Sequence, residues 1–276
     1  MRQRLSINND RWRRQVLPLT PSGSIRGVLV GVLPALLLVA STASSANASE
    51  RRFAYSYEAT THAKGEVEFE QWVTWKTDKV DDSSFNRFDF RHELEFGVTD
   101  RFQVGLYLSD WRYERGDGGG STDWRDVGVE LIYNLTDPTR DALGSAIYGE
   151  VKFGDELLEL EGKLILQKNI GKWALAWNGT IEAEWEGEDF TEDNGVFEQT
   201  LGASYQIEPH FLVGIEALHE IEFEDWAGAG DDVLYVGPNI SVRASGWWFT
   251  IAPLIQVTSV DSEPDFQTRL LVGFDF

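Results

Sequence analysis

The chain has 276 residues, of which 46 are acidic and 24 are basic, and its formal net charge is −22 at pH 7. Binding to phosphate backbones needs a basic surface, so we predict no nucleic-acid partner. The chain contains no cysteine, which excludes both a disulfide framework and thiol catalysis.

The first 48 residues have the pattern of a secretory signal peptide. Six arginines accompany a short apolar run at 28–40, and Ala46 and Ala48 flank Asn47 as at a cleavage site. The apolar run is shorter than the ~20 residues that span a membrane, which argues against a retained anchor. We predict cleavage after Ala48, which removes six arginines and one aspartate and leaves a mature chain of charge −27.

The rest of the chain divides into a short N-terminal segment at 49–65, predicted to be periplasmic, and one domain at 66–276. From Glu66 onward, apolar and polar residues alternate in segments of about 10–15 residues, as in strands that cross a membrane. No further apolar run reaches the ~20 residues of a spanning helix, so only a closed barrel would satisfy every backbone group in lipid. We therefore predict an all-β fold, a single closed up-and-down antiparallel transmembrane β-barrel of about 12 strands.

The alternating segments and their connections support this count. The apolar faces begin, in chain order, at Val67, Phe88, Phe102, Val127, Ile147, Leu158, Trp173, Phe197, Phe211, Leu234, Trp247 and Phe266. Short turns alternate with longer polar connections, and only the connection at 154–155 breaks the rule by being short. An even strand number places both ends of the barrel on the periplasmic side. Pro238 and Pro253 lie within predicted strands and predict local bulges or breaks there.

Aromatic residues concentrate near the predicted strand ends. Those near the long connections are Trp75, Trp111, Trp124, Trp185 and Trp226, and those near the short turns are Tyr133, Trp173, Trp247 and Phe276. Two such groups are typical of the interfacial girdles of membrane barrels. The last strand ends on Phe276 and resembles the terminal strand of bacterial outer-membrane barrels. That resemblance implies outer-membrane lipid and the barrel assembly machinery as partners.

A second resemblance lies in the hairpin Glu93–Gly105 and in the strand opening at 64–70. Both are similar to the phenol-degradation meta-pathway transporter-like family and to related barrels of the bacterial cell outer membrane. The resemblance implies an outer-membrane barrel with a transport role. It covers a turn and a strand start, so it carries over no solute-binding residue.

If the apolar face meets lipid, the opposite face lines the lumen. The lumen-lining candidates are the carboxylates Glu93, Glu182, Glu184, Glu216, Glu220, Glu222 and Glu224 and the counter-charges Arg87, Arg91, Lys163 and Arg269. Crowded carboxylates need water, cations or basic partners. We predict a channel or transporter-like pore for a small solute with cation preference. A plugged barrel without transport remains an alternative. A barrel of about 8 strands is filled by its own side chains, whereas one of 16–18 strands encloses a channel, and twelve strands lie between these two cases.

Other functional classes have weaker support. His219 and His92 have outward parity, as in barrel phospholipases, but neither has a serine partner on its own strand, and we predict no enzyme. The four histidines lack ligand spacing and the acidic loop at 187–195 lacks the EF-hand pattern, so we predict no metal and no cofactor. A secreted β-sandwich that binds carbohydrate through tryptophans is a further alternative, but it accounts for neither the terminal phenylalanine nor the sorted loops.

Overall fold

The computed structural model describes residues 51–187, 190, 192–224, 226 and 228–276, so the predicted signal peptide and its cleavage site lie outside them. Within these ranges no helix has the length and apolar character to cross a bilayer. The strands are β1 (Val67–Thr77), β2 (Asn86–Thr99), β3 (Phe102–Tyr107), β4 (Trp111–Gly116), β5 (Gly119–Trp124), β6 (Asp126–Thr136), β7 (Gly144–Gly154), β8 (Leu157–Ile170), β9 (Trp173–Glu186), β10 (Glu192–Glu208), β11 (Phe211–Glu224), β12 (Gly228–Ala244), β13 (Trp247–Gln256) and β14 (Phe266–Asp275).

The strands form one closed ring. Each pairs antiparallel with its neighbour, and β1 pairs with β2 on one side and with β14 on the other. The hairpin of β4 and β5 prolongs β3 and β6 along the upper part of β2, so the ring itself has twelve strands. This confirms the predicted barrel, and the two-layer β-sandwich is wrong because the first and last strands are hydrogen-bonded to each other.

The two ends of the barrel differ in their connections. At one end, here called the short-turn end, β2, β6, β8, β10 and β12 each turn into the next barrel strand within two to seven residues. Gly171 and Gly246 at this end have φ of 59° and 81°, a left-handed conformation that suits two-residue hairpin turns. At the other end, the long-loop end, lie the segments at 78–85 and 257–265 and the β4–β5 hairpin. The loop sorting expected of an outer-membrane barrel is therefore present in part. At this same long-loop end β7 and β11 reach the next strand within two and three residues, whereas the sequence predicted that only the connection at 154–155 would be short.

The outer face of the barrel is apolar. Ile147, Ile181 and Ile255 are 50–59% exposed there, an exposure that suits lipid rather than water. Aromatic rings pack together at both margins of this belt. Trp173 contacts Tyr205 at the short-turn end, with 4.9 Å between ring centroids. Trp75 contacts Phe88 and Phe266 at the long-loop end, at 5.8 and 5.6 Å.

The prolines within strands interrupt one ladder without changing its register. Pairing between β12 and β13 stops after Val236–Ile255 and resumes at Ile240–Ile251 with the same alignment. Proline has no amide hydrogen to donate, which accounts for a gap at Pro238 and Pro253. The backbones also approach closely there, because a Cβ added to Gly237 would lie 1.9 Å from the Pro253 carbonyl oxygen.

Candidate functional site in the barrel lumen

Residues 51–63, here called the lumenal segment, lie inside the barrel. The side chains of Phe53, Ala59 and His62 are at most 1% exposed. The sequence predicted a short periplasmic segment at 49–65, and the structure instead places most of it within the lumen. The physical reason is that the polar inner wall offers acceptors for the buried backbone amides of the segment, which must be paired.

Glu216 of β11 is the main acceptor. Its carboxylate oxygens accept hydrogen bonds from the backbone N–H groups of Ala54, Tyr55 and Ser56 at 2.7, 2.8 and 3.0 Å. The side-chain amide of Asn239 donates a fourth hydrogen bond, at 3.1 Å. A carboxylate that accepts several N–H groups is stabilised without a basic partner, so Glu216 serves as an anchor for the segment.

Three uncharged side chains continue this contact around the wall. The amide oxygens of Asn178, Gln167 and Gln103 accept backbone N–H groups of Tyr57, Ala59 and His62 at 2.6, 2.7 and 3.0 Å, respectively. These wall residues belong to β9, β8 and β3, so the segment follows the inner circumference rather than the barrel axis. The sequence placed such residues on the polar face but gave no reason to single out uncharged amides.

Arg51 lies at the start of the described chain in a cage of acidic and aromatic side chains. Its Nε donates to Glu70 at 3.0 Å and its Nη2 donates to Glu95 at 3.1 Å. The guanidinium carbon lies 4.4 Å from the ring centroid of Tyr57 and 4.6 Å from that of Trp72. Both distances are within the range of cation–π interactions.

The hairpin with the family resemblance holds the other end of the segment. Glu95 Oε2 lies 2.6 Å from His62 Nε2, and Asp100 accepts the Lys64 N–H at 3.0 Å. The backbone of the segment passes so near to β2 that a Cβ added to Gly97 would lie 1.9 Å from the Ala63 carbonyl oxygen. Residues recognised as a turn signature thus also form the point where the segment enters the barrel.

Between the lumenal segment and the long-loop end lies a cavity of about 610 Å³, here called the outer vestibule. Tyr55, Tyr57 and Trp72 are among its lining residues, and Tyr57 and Trp72 also contact the guanidinium of Arg51. Twelve carboxylate and eight basic side chains also line it, for a formal net charge of −4. The vestibule is therefore polar and acidic, in contrast to the apolar outer face.

Ion pairs are unevenly distributed in the outer vestibule. Among the described lining residues they are Arg91–Asp110 at 2.9 Å, Arg87–Asp89 at 2.9 Å, Arg112–Asp89 at 2.7 Å, Lys152–Glu150 at 2.7 Å, Lys152–Glu159 at 2.5 Å, Lys163–Glu161 at 2.8 Å and Arg125–Glu186 at 3.8 Å. On β9–β11, Glu182, Glu184, Glu198 and Glu220 have no basic side chain within 4.0 Å in the described part of the chain. We call these four residues the unpaired sector.

The structure places the predicted lumen residues at two heights. Those that line the outer vestibule are Arg87, Arg91, Lys163, Arg269, Glu182, Glu184, Glu220 and Glu222. Glu216 and Glu93 lie deeper, with Glu216 at the lumenal segment and Glu93 beside the Arg51 cage. The side chain of Glu224 lies outside the described residues.

Three groups of carboxylates among the described residues have oxygens within 4.8 Å of one another, a spacing that suits cation ligands. They are Glu70, Glu93 and Glu95; Glu150, Glu159 and Glu161; and Glu159, Glu182 and Glu184. Arg51 binds Glu70 and Glu95 of the first group, and Lys152 binds Glu159, which the other two groups share. Each group is therefore already in contact with a side-chain cation.

Among the described residues, the partners given by the structure for the outward histidines His219 and His92 do not include a serine hydroxyl. His219 Nε2 lies 2.6 Å from Asp232 Oδ1, and its Nδ1 lies 3.4 Å from Gln199 Nε2. His92 Nδ1 lies 2.9 Å from the backbone oxygen of Ser109. These contacts do not assemble the nucleophile and base that hydrolysis requires.

A family model described as a family of unknown function (DUF6662) matches residues 45–267. No curated protein sequence matches the chain significantly. The structure of the COG4313 outer membrane channel from Pseudomonas putida F1 is 13% identical, with a TM-score of 0.60 over 79% of this chain and 98% of that one. The NanC porin structure is 9% identical, with a TM-score of 0.50 over 75% and 98%. At such identities the likeness shows the fold alone, which is that of outer-membrane barrels.

Proposed function

We propose that this chain, which belongs to the DUF6662 family of unknown function, is a channel for small solutes with a preference for cations. Its closed ring, its apolar belt and its fold are those of a protein of the bacterial outer membrane. Two solved barrels of this fold are described as an outer membrane channel and a porin, which supports a passive transport role and not a catalytic one.

The unpaired sector is the observation that carries the cation preference. Glu182, Glu184 and Glu220 face the outer vestibule without a basic neighbour within 4.0 Å among the described residues. Carboxylates lining a narrow cavity with low-dielectric walls focus their field into it and raise the local concentration of cations. Anions are disfavoured by the same field, so we expect cation selectivity to arise in this sector.

The lumenal segment lies between the outer vestibule and the short-turn end. We propose that it moves when a solute passes, because it is held by side-chain hydrogen bonds and is not a strand of the ring. The other candidate function, a permanently plugged barrel, is favoured by the complete burial of Phe53 and Ala59. Conductance separates the two, since a permanent plug passes no current in any variant that keeps it.

A further proposal follows from the terminal strand. We propose that the assembly machinery reads the last strand, whose Phe276 is 75% exposed and donates its backbone N–H to Val67 at 3.0 Å. Deleting Phe276 is expected to reduce the heat-modifiable barrel recovered from outer membranes, without changing the amount synthesised. The resemblance of Glu93–Gly105 to the phenol-degradation transporter-like family supports a transport role. It does not identify the solute, because these residues contact the lumenal segment and are not known to contact a solute.

The test of the channel is selectivity in planar bilayers. The reversal potential in a KCl gradient is expected to show cation preference for the wild type. The triple variant Glu182→Gln/Glu184→Gln/Glu220→Gln is expected to lower the cation-to-anion permeability ratio at least about twofold, because it removes three ionisable carboxyl groups from the cavity wall.

Asp155→Asn is the matched control, since Asp155 is exposed in the turn between β7 and β8 and is not a vestibule-lining residue. It also removes one charge at the long-loop end and is expected to leave selectivity unchanged. An equal effect of Asp155→Asn, or anion preference in the wild type, would overturn the cation proposal. Absence of current from both the wild type and a variant lacking the lumenal segment would favour the plugged barrel.

A further inference from the structure

The cage around Arg51 has the chemistry of a binding site for an organic cation. We propose that Glu70, Glu93, Glu95 and Trp72 form a recognition site for the guanidinium or primary ammonium group of a small solute. Arg51 then acts as a tethered competitor that occupies the site while the lumenal segment is in place. This inference rests on the proposed function, because a solute reaches the cage only through the lumen.

The contacts of Arg51 show what the site recognises. Two carboxylates accept its N–H groups at 3.0 and 3.1 Å, and the Trp72 indole lies 4.6 Å from its guanidinium carbon. A planar cation bound by carboxylates at its edge and by an aromatic ring at its face satisfies both electrostatic preferences of guanidinium. Neither feature serves an anion or a neutral solute.

Glu93 gives independent evidence that the site can accept more hydrogen bonds than Arg51 donates. Its side chain is 0% exposed, and neither carboxylate oxygen has a hydrogen-bond partner in the described part of the structure. Its oxygens are within 4.8 Å of those of Glu70 and Glu95. Among the described residues, Arg51 donates through Nε and Nη2, to Glu70 and Glu95. A free guanidinium or ammonium ion has further N–H groups to offer to Glu93.

Glycine makes room for this carboxylate. Gly105 of β3 lies beside Glu93, and a Cβ added there would be 2.4 Å from Glu93 Oε1. The buried, unpartnered carboxylate thus fills a space that the neighbouring strand leaves for it. Burial of such a group without a partner is costly, and a bound cation offsets that cost.

The position of Trp72 connects the cage to the outer vestibule. Trp72 lines the vestibule, and the guanidinium carbons of Arg91 and Arg269 lie 5.3 and 5.5 Å from its ring centroid. The same indole therefore contacts cations that belong to the vestibule and the cation that belongs to the cage. A solute that displaces the lumenal segment moves from the unpaired sector past Trp72 into the place of Arg51.

The experiment measures equilibrium binding of guanidinium chloride to the detergent-refolded mature barrel by calorimetry. Concentrations stay in the low millimolar range, and NaCl keeps the ionic strength constant. The Arg51→Ala variant is expected to bind guanidinium at least about tenfold more tightly than the wild type, whose site is occupied. Arg51→Lys is the matched control, since it keeps a tethered cation and is expected to behave like the wild type.

Two more measurements test the role of Glu93 and the need for a positive charge on the ligand. Arg51→Ala/Glu93→Gln is expected to bind guanidinium at least about fivefold more weakly than Arg51→Ala. Urea, a neutral molecule of the same shape, is expected not to bind. Heat-modifiable mobility on gels shows that each variant is folded, and Arg51→Gln replaces Arg51→Ala if the latter does not fold.

Equal binding to the wild type and to Arg51→Ala would overturn the proposal, as would equal binding of urea. Tighter binding of Ca²⁺ than of guanidinium to Arg51→Ala would also overturn it, since that result indicates a plain carboxylate cluster. Binding and conductance fail separately. A variant that binds guanidinium but passes no current would contradict the channel proposal and support the binding site. A variant that conducts but does not bind guanidinium would support the channel and overturn the binding site.

Discussion

The two halves of the lumen use the same residue type in opposite ways, and β11 shows this within one strand. Glu216 is 1% exposed and accepts three backbone N–H groups of the lumenal segment. Glu220, two inward positions further along, faces the cavity of the outer vestibule. The parity of a residue along its strand therefore decides whether its carboxylate points into the lumen. Its position along the barrel axis decides whether that carboxylate binds the lumenal segment or faces the cavity of the outer vestibule.

The difference also concerns how negative charge is compensated. In the inner half, Glu216, Glu70 and Glu95 are compensated by backbone amides and by Arg51 of the lumenal segment, whereas Glu93 has no hydrogen-bond partner among the described residues. In the outer half, the unpaired sector has no such partner among the described residues and depends on water and mobile cations. In the proposed channel, the inner half thus obstructs passage and the outer half attracts cations.

Removal of residues 51–63 is expected to have the largest effect on this contrast. The deletion empties the inner half while leaving all twelve barrel strands intact. Single-channel conductance is expected to rise several-fold, because the described segment is the chain that lies across the lumen. Cation preference is expected to persist, since the unpaired sector is unchanged. An unchanged conductance would show that the segment does not limit passage.

Two single substitutions on β11 distinguish the role of the inner half of the lumen from that of the outer half. Glu216→Gln leaves at least one buried N–H of Ala54, Tyr55 or Ser56 without its acceptor, at a cost of ~1–3 kcal/mol. We expect more frequent open events and unchanged selectivity. Glu220→Gln is expected to lower selectivity and leave the open frequency as it was. If both variants change the same property, the division of the lumen into two halves is wrong.

The sequence predicted the barrel but not its contents, and the reason is geometric. Alternation fixes which side chains of a strand point inward, so it placed Glu182, Glu184 and Glu220 in the lumen. The lumenal segment has no alternating run of its own. Its anchors are distant in the chain, since Ala54 and Glu216 are 162 positions apart. Only closure of the ring brings these residues to one height.

The hairpin Glu93–Gly105 shows a second limit of sequence reasoning. Its glycines and its Asp100 were recognisable as a turn and a strand start. Their additional role depends on close approach, since Gly97 lies against Ala63 and Gly105 against Glu93. No local pattern distinguishes a glycine that permits a turn from one that permits another segment to pass.

Gly97→Ala tests that close approach and is expected to have an intermediate effect. The added methyl group would overlap the Ala63 carbonyl oxygen, and overpacking of this kind costs ~1–3 kcal/mol. Because the chain has no cysteine, Ser56→Cys supplies a unique thiol at a buried position of the segment. We expect Gly97→Ala to accelerate labelling of that thiol by a water-soluble maleimide about tenfold.

Gly162→Ala is the control for that substitution, since a Cβ there meets nothing within 4 Å. Gly162 lies in β8, and the same chemical change is expected to leave the labelling rate unaltered. Equal acceleration by both substitutions would mean that general loosening of the barrel, rather than displacement of the segment, exposes the thiol.

The smallest effect is expected from a matched pair of threonines. Thr200 Oγ1 donates to Asn178 Oδ1 at 3.0 Å, and the same oxygen accepts the Tyr57 N–H. Thr200→Val removes this donor at nearly constant volume, so Asn178 holds the segment less firmly by ~1 kcal/mol. Maleimide labelling of Ser56→Cys is then expected to be about fivefold faster. Thr180, one inward position beyond Asn178, is buried and its hydroxyl has no partner in the described part of the chain.

Thr180→Val makes the same exchange at vestibule height, where no contact with the lumenal segment depends on the hydroxyl. Replacing an unpaired buried hydroxyl by a methyl group costs nothing in hydrogen bonding, so labelling is expected to stay at the wild-type rate. Faster labelling in Thr180→Val than in Thr200→Val would show that the segment is controlled from the vestibule. The hydrogen bonds of the inner wall would then not be what holds it in place.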